Sequence, residues 1–133
     1  MAHEDTQRDG ANASALLEVS NAMVKLFKQQ FGRGPTKSRT HFAGPDTLVC
    51  VLENTFTPSE RNMVAMGEHQ RLRDVRLFFQ HASEGEFRQT VEAIIGRRVK
   101  SFGSATDTNT DTAFEIFVLE PADNGRGADA EPS

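Results

Sequence analysis

Leu16, Val19, Met23, Leu26, Phe27 and Phe31 recur at three- and four-residue spacings. That stripe predicts an amphipathic helix over 13–31. Asn12 or Ser14 is placed to cap its start, and Gly32 to follow its end in the left-handed conformation. Pro35 opposes any resumption of the helix. The pattern then changes. Lys37, Arg39 and His41 would share one face of an extended run over 36–42, with Ser38, Thr40 and Phe42 on the other. Ala43-Gly44-Pro45-Asp46 reads as a turn before the β-rich run 47–52, so 36–52 is expected to form a hairpin.

Thr57, Pro58 and Glu60 occupy the N-cap, N1 and N3 positions of a capping box, which starts a short second helix ending near Met66. A further apolar stripe follows: Leu72, Val75, Phe78, Phe79 and Ala82, then Phe87, Val91, Ile94 and Ile95. Ser83-Glu84-Gly85 is expected to kink or divide it, and Gly96 to end it. A second hairpin is predicted from 98–106 and 112–119, joined by an acidic turn.

The chain therefore repeats itself. Residues 31–53 and 95–120 each place a Gly-Arg step after a helix, then a polar extended run, a turn, an apolar run and Val-Leu-Glu. The expected class is α+β, a two-layer α-ββ-α(α)-ββ pseudo-repeat with one four-stranded antiparallel sheet. Moving the last strand to the front gives the β-α-β-β-α-β order, a permuted ferredoxin-like layout. The runs at 48–52 and 114–119 are apolar on both faces, whereas a sheet covered on one side should alternate. The second face needs cover, and a homodimer is the expected source.

Composition narrows the chemistry. The 133 residues fit one domain, expected at 12–121, between acidic tails at 1–11 and 122–133 that lack apolar content and are expected to be disordered. The net charge of −4 lies in those tails, at −2 each, so the middle is neutral and no general polyanion binder. The single cysteine, Cys50, excludes an internal disulfide and a Cys-based zinc cluster. No apolar run approaches the about 18 residues of a membrane span, and no secretory signal pattern opens the chain. A cytoplasmic protein is expected.

The helix before Phe31-Gly32-Arg33-Gly34-Pro35-Thr36, the Val51-Leu52-Glu53 before the capping box, and IIGRRVKSF with FEIFVLEP at the end resemble the MpsC-like family of small bacterial proteins. The resemblance covers roughly 14–121. Gly32, Arg33, Gly34, Pro35, Thr36, Gly96 and Arg97 carry its motifs; Ser83-Glu84-Gly85 and the Thr-rich turn at 106–112 depart from it. The family is named for a sodium-translocating, membrane-potential-generating system whose membrane subunits are associated with inorganic-carbon uptake. The resemblance thus implies a protein partner in such a system and a place peripheral to the membrane. It carries over no catalytic residue and no cofactor.

Two readings of the Gly-Arg steps stand. Arg33 and Arg97 would complement helix C-termini, by about 0.3–1 kcal/mol each. Alternatively, Arg33, Lys37 and Arg39 would join Arg97, Arg98 and Lys100 in an anion- or partner-binding site. Asp107, Asn109 and Asp111 begin like a calcium loop, but Thr112 and Val118 stand where Gly and Glu are needed. His3, His41, His69 and His81 are scattered, and no metal site is expected. Cys50 lies in an apolar strand, where a thiol is inert. Glu53 and Glu120 end equivalent strands, each read as solvated or paired with Arg. The helix at 69–81, with Arg71, Arg73 and Arg76 beside Glu68 and Asp74, reads as a solvated face. The functional expectation is a non-catalytic, homodimeric interaction module. The alternative is an RNA-binding protein using Lys37, Arg39 and His41 on one hairpin and Arg98 and Lys100 on the other.

Overall fold

The computed structural model describes residues 2–122, so the tail expected at 122–133 lies outside it beyond its first residue. The elements run α1 (Ala2–Phe31), β1 (Lys37–Phe42), β2 (Thr47–Glu53), α2 (Pro58–Ala65), α3 (His69–Ala82), α4 (Glu84–Ile95), β3 (Val99–Asp107) and β4 (Thr112–Leu119). Over the described residues the fold is α+β, with four helices and a four-stranded antiparallel sheet. The helix predicted over 13–31 lies within α1, which starts earlier, so Asn12 and Ser14 are interior and do not cap it. Thr57 does cap α2. Its hydroxyl accepts from the Glu60 N–H at 3.2 Å, and the Glu60 carboxylate accepts from the Thr57 N–H at 2.9 Å. The long second stripe divides at Ser83, between α3 and α4.

The sheet order is β1-β2-β4-β3, with every neighbour antiparallel. β2 and β4 are central, and Cys50 stands opposite Glu115. One face is buried under the helices. Leu48, Cys50 and Leu52 of β2 and Ala113, Phe117 and Leu119 of β4 meet Val19, Met23 and Phe27 of α1 and Phe87 and Val91 of α4. The stripe read in α1 is therefore the core stripe, with Leu16 and Phe31 packed at its ends.

The stripe read in the third helix is not. In α3 the buried positions are Leu72, Arg76 and Gln80, four residues apart. Val75, Phe78 and Phe79 point outward, Phe78 with 68 % of its surface exposed. Partners decide this. Arg76 and Gln80 each find a carboxylate beneath the helix, Glu60 and Glu115 respectively. Buried and paired, they hold the inward face.

Candidate functional site

The Gly-Arg steps form as expected. Gly32 and Gly96 adopt φ of 79° and 78°, in the left-handed region open to glycine. The arginines that follow do different things. Arg97 Nε and Nη2 donate to the Glu120 carbonyl at 3.1 and 2.7 Å, Nη1 to the Pro45 carbonyl at 2.9 Å, and Nη2 also to Asp46 Oδ1 at 2.5 Å. Only 16 % of this side chain is exposed. It ties the end of α4 to the β1–β2 turn and to the end of β4. Arg33 is looser, with Nη2 at 3.4 Å from the Asn54 carbonyl.

The six basic candidates do not converge. Arg33 reaches Asn54, beyond one end of β2, and Arg97 reaches Asp46, before the other. Seven residues of strand separate these ends by about 20 Å. The expected proximity of the two steps is thus corrected. Because β2 pairs antiparallel with β4, equivalent points of the two hairpins fall at opposite ends of the sheet. Arg39 Nη2 donates to Glu53 Oε2 at 2.8 Å across the β1–β2 hairpin. Lys37 is exposed and lines a depression of about 300 Å³ with Glu53 and Asp111. Arg98 and Lys100 are exposed, Lys100 at an irregularity in β3 between Val99 and Ser101. Glu53 and Glu120 also stand apart, the first on Arg39 and the second at the far end of β4.

The second face of the sheet is apolar at its centre. Val49 pairs with Ile116, Val51 with Phe114 and Thr47 with Val118. These positions alternate with the buried ones, and all are partly exposed, Ile116 at 38 %. Lys37, Arg39 and His41 share this face on β1, through the pairs Lys37–Glu53, Arg39–Val51 and His41–Val49. The open face thus has an apolar centre and a basic margin.

Beneath α3 lies a seam of buried polar groups that the sequence did not bring forward. Arg76, 1 % exposed, donates through Nε and Nη2 to the two Glu60 oxygens at 2.7 and 2.6 Å, and through Nη2 to the Thr55 carbonyl at 3.2 Å. Its guanidinium carbon stands 3.8 Å from the centre of the Phe31 ring. Burial raises the Glu60 carboxyl, but bonds from Arg76 and Thr57 outweigh it and hold the group below the usual range. Glu115, with no exposed surface, accepts at Oε2 from Gln80 Nε2 at 2.7 Å and from Ser104 Oγ at 2.9 Å. Here burial wins over those bonds and over nearby Arg76, and the carboxyl is pushed up to about 8. Arg76 Nη1 and Glu115 Oε1 are buried without a hydrogen-bond partner among the described residues. The available signal was Glu115 itself, one charge in the apolar run 113–119 on the side of Ala113 and Phe117.

The acidic turn is a set of clamps. Asp107 Oδ1 accepts from the N–H groups of Asn109 and Thr110, at 2.9 and 3.2 Å. Asp111, at φ 54°, accepts from Thr55 N–H and hydroxyl and from Phe56 N–H, at 2.8, 3.0 and 3.1 Å. That fixes the approach to α2. Cys50 is fully buried, and burial pushes its thiol pKa up, away from reactivity.

No described helix is long and apolar enough to cross a membrane. No curated protein and no solved structure matches the chain. A family model described as Na+-translocating membrane potential-generating system (MpsC) matches residues 13–121, nearly the whole span from α1 through β4, and the chain therefore belongs to the MpsC family.

Proposed function

We propose that this protein is a non-catalytic, homodimeric interaction module, accessory to a membrane-potential-generating or inorganic-carbon transport system. The observation that carries the reading is the open sheet face. Val49, Val51, Phe114, Ile116 and Val118 form a contiguous apolar patch across the two central strands, on the side away from the core. Sheets stack face to face at about 10 Å through such surfaces. A second copy brings an identical patch, as an isologous two-fold contact requires. The family description, Na+-translocating membrane potential-generating system, supports the setting. The basic margin of Lys37, Arg39 and His41 borders the same face, where it would meet an acidic partner.

Light scattering coupled to size exclusion tests this reading. Wild type is expected to run as a dimer at low micromolar concentration, and Ile116→Glu as a folded monomer. A monomeric wild type would remove the homodimer. The RNA-binding alternative predicts salt-dependent filter binding lost on Lys37→Gln with Arg39→Gln, and the interaction-module reading predicts none.

A further inference from the structure

The open face of the sheet differs from one edge to the other. On β1, Lys37, Arg39 and His41 stand exposed. On β3, at the opposite edge, the same rows end in Asp107, Ala105 and Gly103, also exposed. The registers connect them as Lys37–Glu53–Thr112–Asp107, Arg39–Val51–Phe114–Ala105 and His41–Val49–Ile116–Gly103. One margin is therefore long and basic, the other short with an acid at its end. A Cβ added at Gly103 would meet nothing within 4 Å, so the β3 margin leaves room above it.

The charges of the two margins are not cancelled within the chain. Arg39 holds Glu53, the carboxylate of the neighbouring strand, at 2.8 Å. Lys37 has no ion-pair partner among the described residues. Asp107 is bonded to two backbone N–H groups, and no described cation pairs with it. Lys37 and Asp107 share a row but stand three strand spacings apart, about 14 Å, too far for an ion pair in one copy.

Two copies can stack these faces about a two-fold axis in two simple ways. An axis across the strands lays β1 on the partner's β1. The basic margins then face each other, and like charges oppose the contact. The small residues of β3 also face each other and leave space unfilled. An axis along the strands lays β1 on the partner's β3 and β2 on the partner's β4, and each row keeps its level. Lys37 then stands over the partner's Asp107, Arg39 over the partner's Ala105 and His41 over the partner's Gly103. At the centre Val51 meets the partner's Phe114, and Val49 the partner's Ile116. Each contact occurs twice, as an isologous interface requires. The usual angle of about 30° between stacked sheets slides the margins by about one residue, within reach of a lysine.

Resting on the homodimer proposed above, we propose that the two copies stack with the two-fold axis along the strands. The basic β1 margin of each sits on the small-residue β3 margin of the other, and Lys37 pairs with the partner's Asp107.

The test is cross-linking of the full chain with a short bismaleimide, matched to the about 10 Å between stacked sheets. Cys50 is fully buried, so wild type serves as the blank. Arg39→Cys and Ala105→Cys are made separately and mixed in equal amounts. The mixture is expected to give a covalent dimer with one copy of each variant, identified by mass spectrometry of the linked peptides. Either variant alone is expected to give none, because its two thiols lie about 14 Å apart sideways as well as about 10 Å across. Lys37→Glu sets two acids against each other. It is expected to weaken the dimer about tenfold at low salt in sedimentation equilibrium, and less in about 1 M salt. A monomeric wild type removes the homodimer and this arrangement with it. With wild type dimeric, three results leave the dimer standing and overturn the arrangement: no mixed cross-link, either variant linked to itself, or undiminished dimerisation of Lys37→Glu.

Discussion

Arg76 and Glu60 meet through two parallel hydrogen bonds, Nε to Oε2 at 2.7 Å and Nη2 to Oε1 at 2.6 Å, with the arginine inside the protein. The same Glu60 closes the capping box of α2. One carboxylate thus fixes the start of α2 and the inward face of α3. Removing one partner of a buried pair leaves the other charge unpaired, which costs about 3–5 kcal/mol. Arg76→Ala is expected to lower stability by about that amount in urea unfolding. Arg76→Lys should restore little, because an ammonium cannot make the forked contact.

Glu115 makes stability depend on pH in the direction opposite to a salt-bridged acid. Its folded pKa, about 8, lies above the about 4.3 of an unfolded glutamate, so the native state holds the proton more tightly. Its contribution is present at low pH. It falls as pH rises from about 4.5 to about 8, then levels off. Glu115→Gln keeps a neutral, hydrogen-bonding side chain on Gln80 and Ser104. The stability of Glu115→Gln relative to wild type is therefore expected to grow by about a few kcal/mol between pH 5 and pH 8, measured by denaturant unfolding at each pH.

Phe78 and Leu72 lie on the same helix with opposite expectations. Leu72 is fully buried and Phe78 largely exposed. Leu72→Ala should cost about 2–5 kcal/mol, and Phe78→Ser should stay within about 0.5 kcal/mol. Thermal unfolding of the two variants checks which side of α3 faces the core.

The two Gly-Arg steps should also separate. Arg97 holds Pro45, Asp46 and Glu120 together, whereas Arg33 makes one long contact. Arg97→Gln is expected to cost about 1–3 kcal/mol and Arg33→Gln about 0.5 kcal/mol or less, read from urea midpoints. Equal losses would show that helix-end complementation, common to both, outweighs the bonds.

Much of the fold is legible in local chemistry. The capping box at Thr57, the left-handed glycines at 32 and 96, and both hairpins follow from short-range rules, because caps and turns are made by residues a few positions apart. The core stripe of α1 is legible for the same reason, since its period is strong and its inward residues are all apolar. The candidate sites were less so. Grouping the arginines needed the pairing of β2 with β4, and that pairing joins residues 59 to 71 positions apart.

By itself, then, the sequence determined the elements, their order, and central strands that are apolar on both faces. The tertiary structure decided which way α3 turns and where the charges end. Periodicity ranks a helix face by hydrophobicity, but burial is settled by whether a partner waits opposite. Glu60 and Glu115 wait for Arg76 and Gln80, so the polar residues of α3 go in and its phenylalanines stay out.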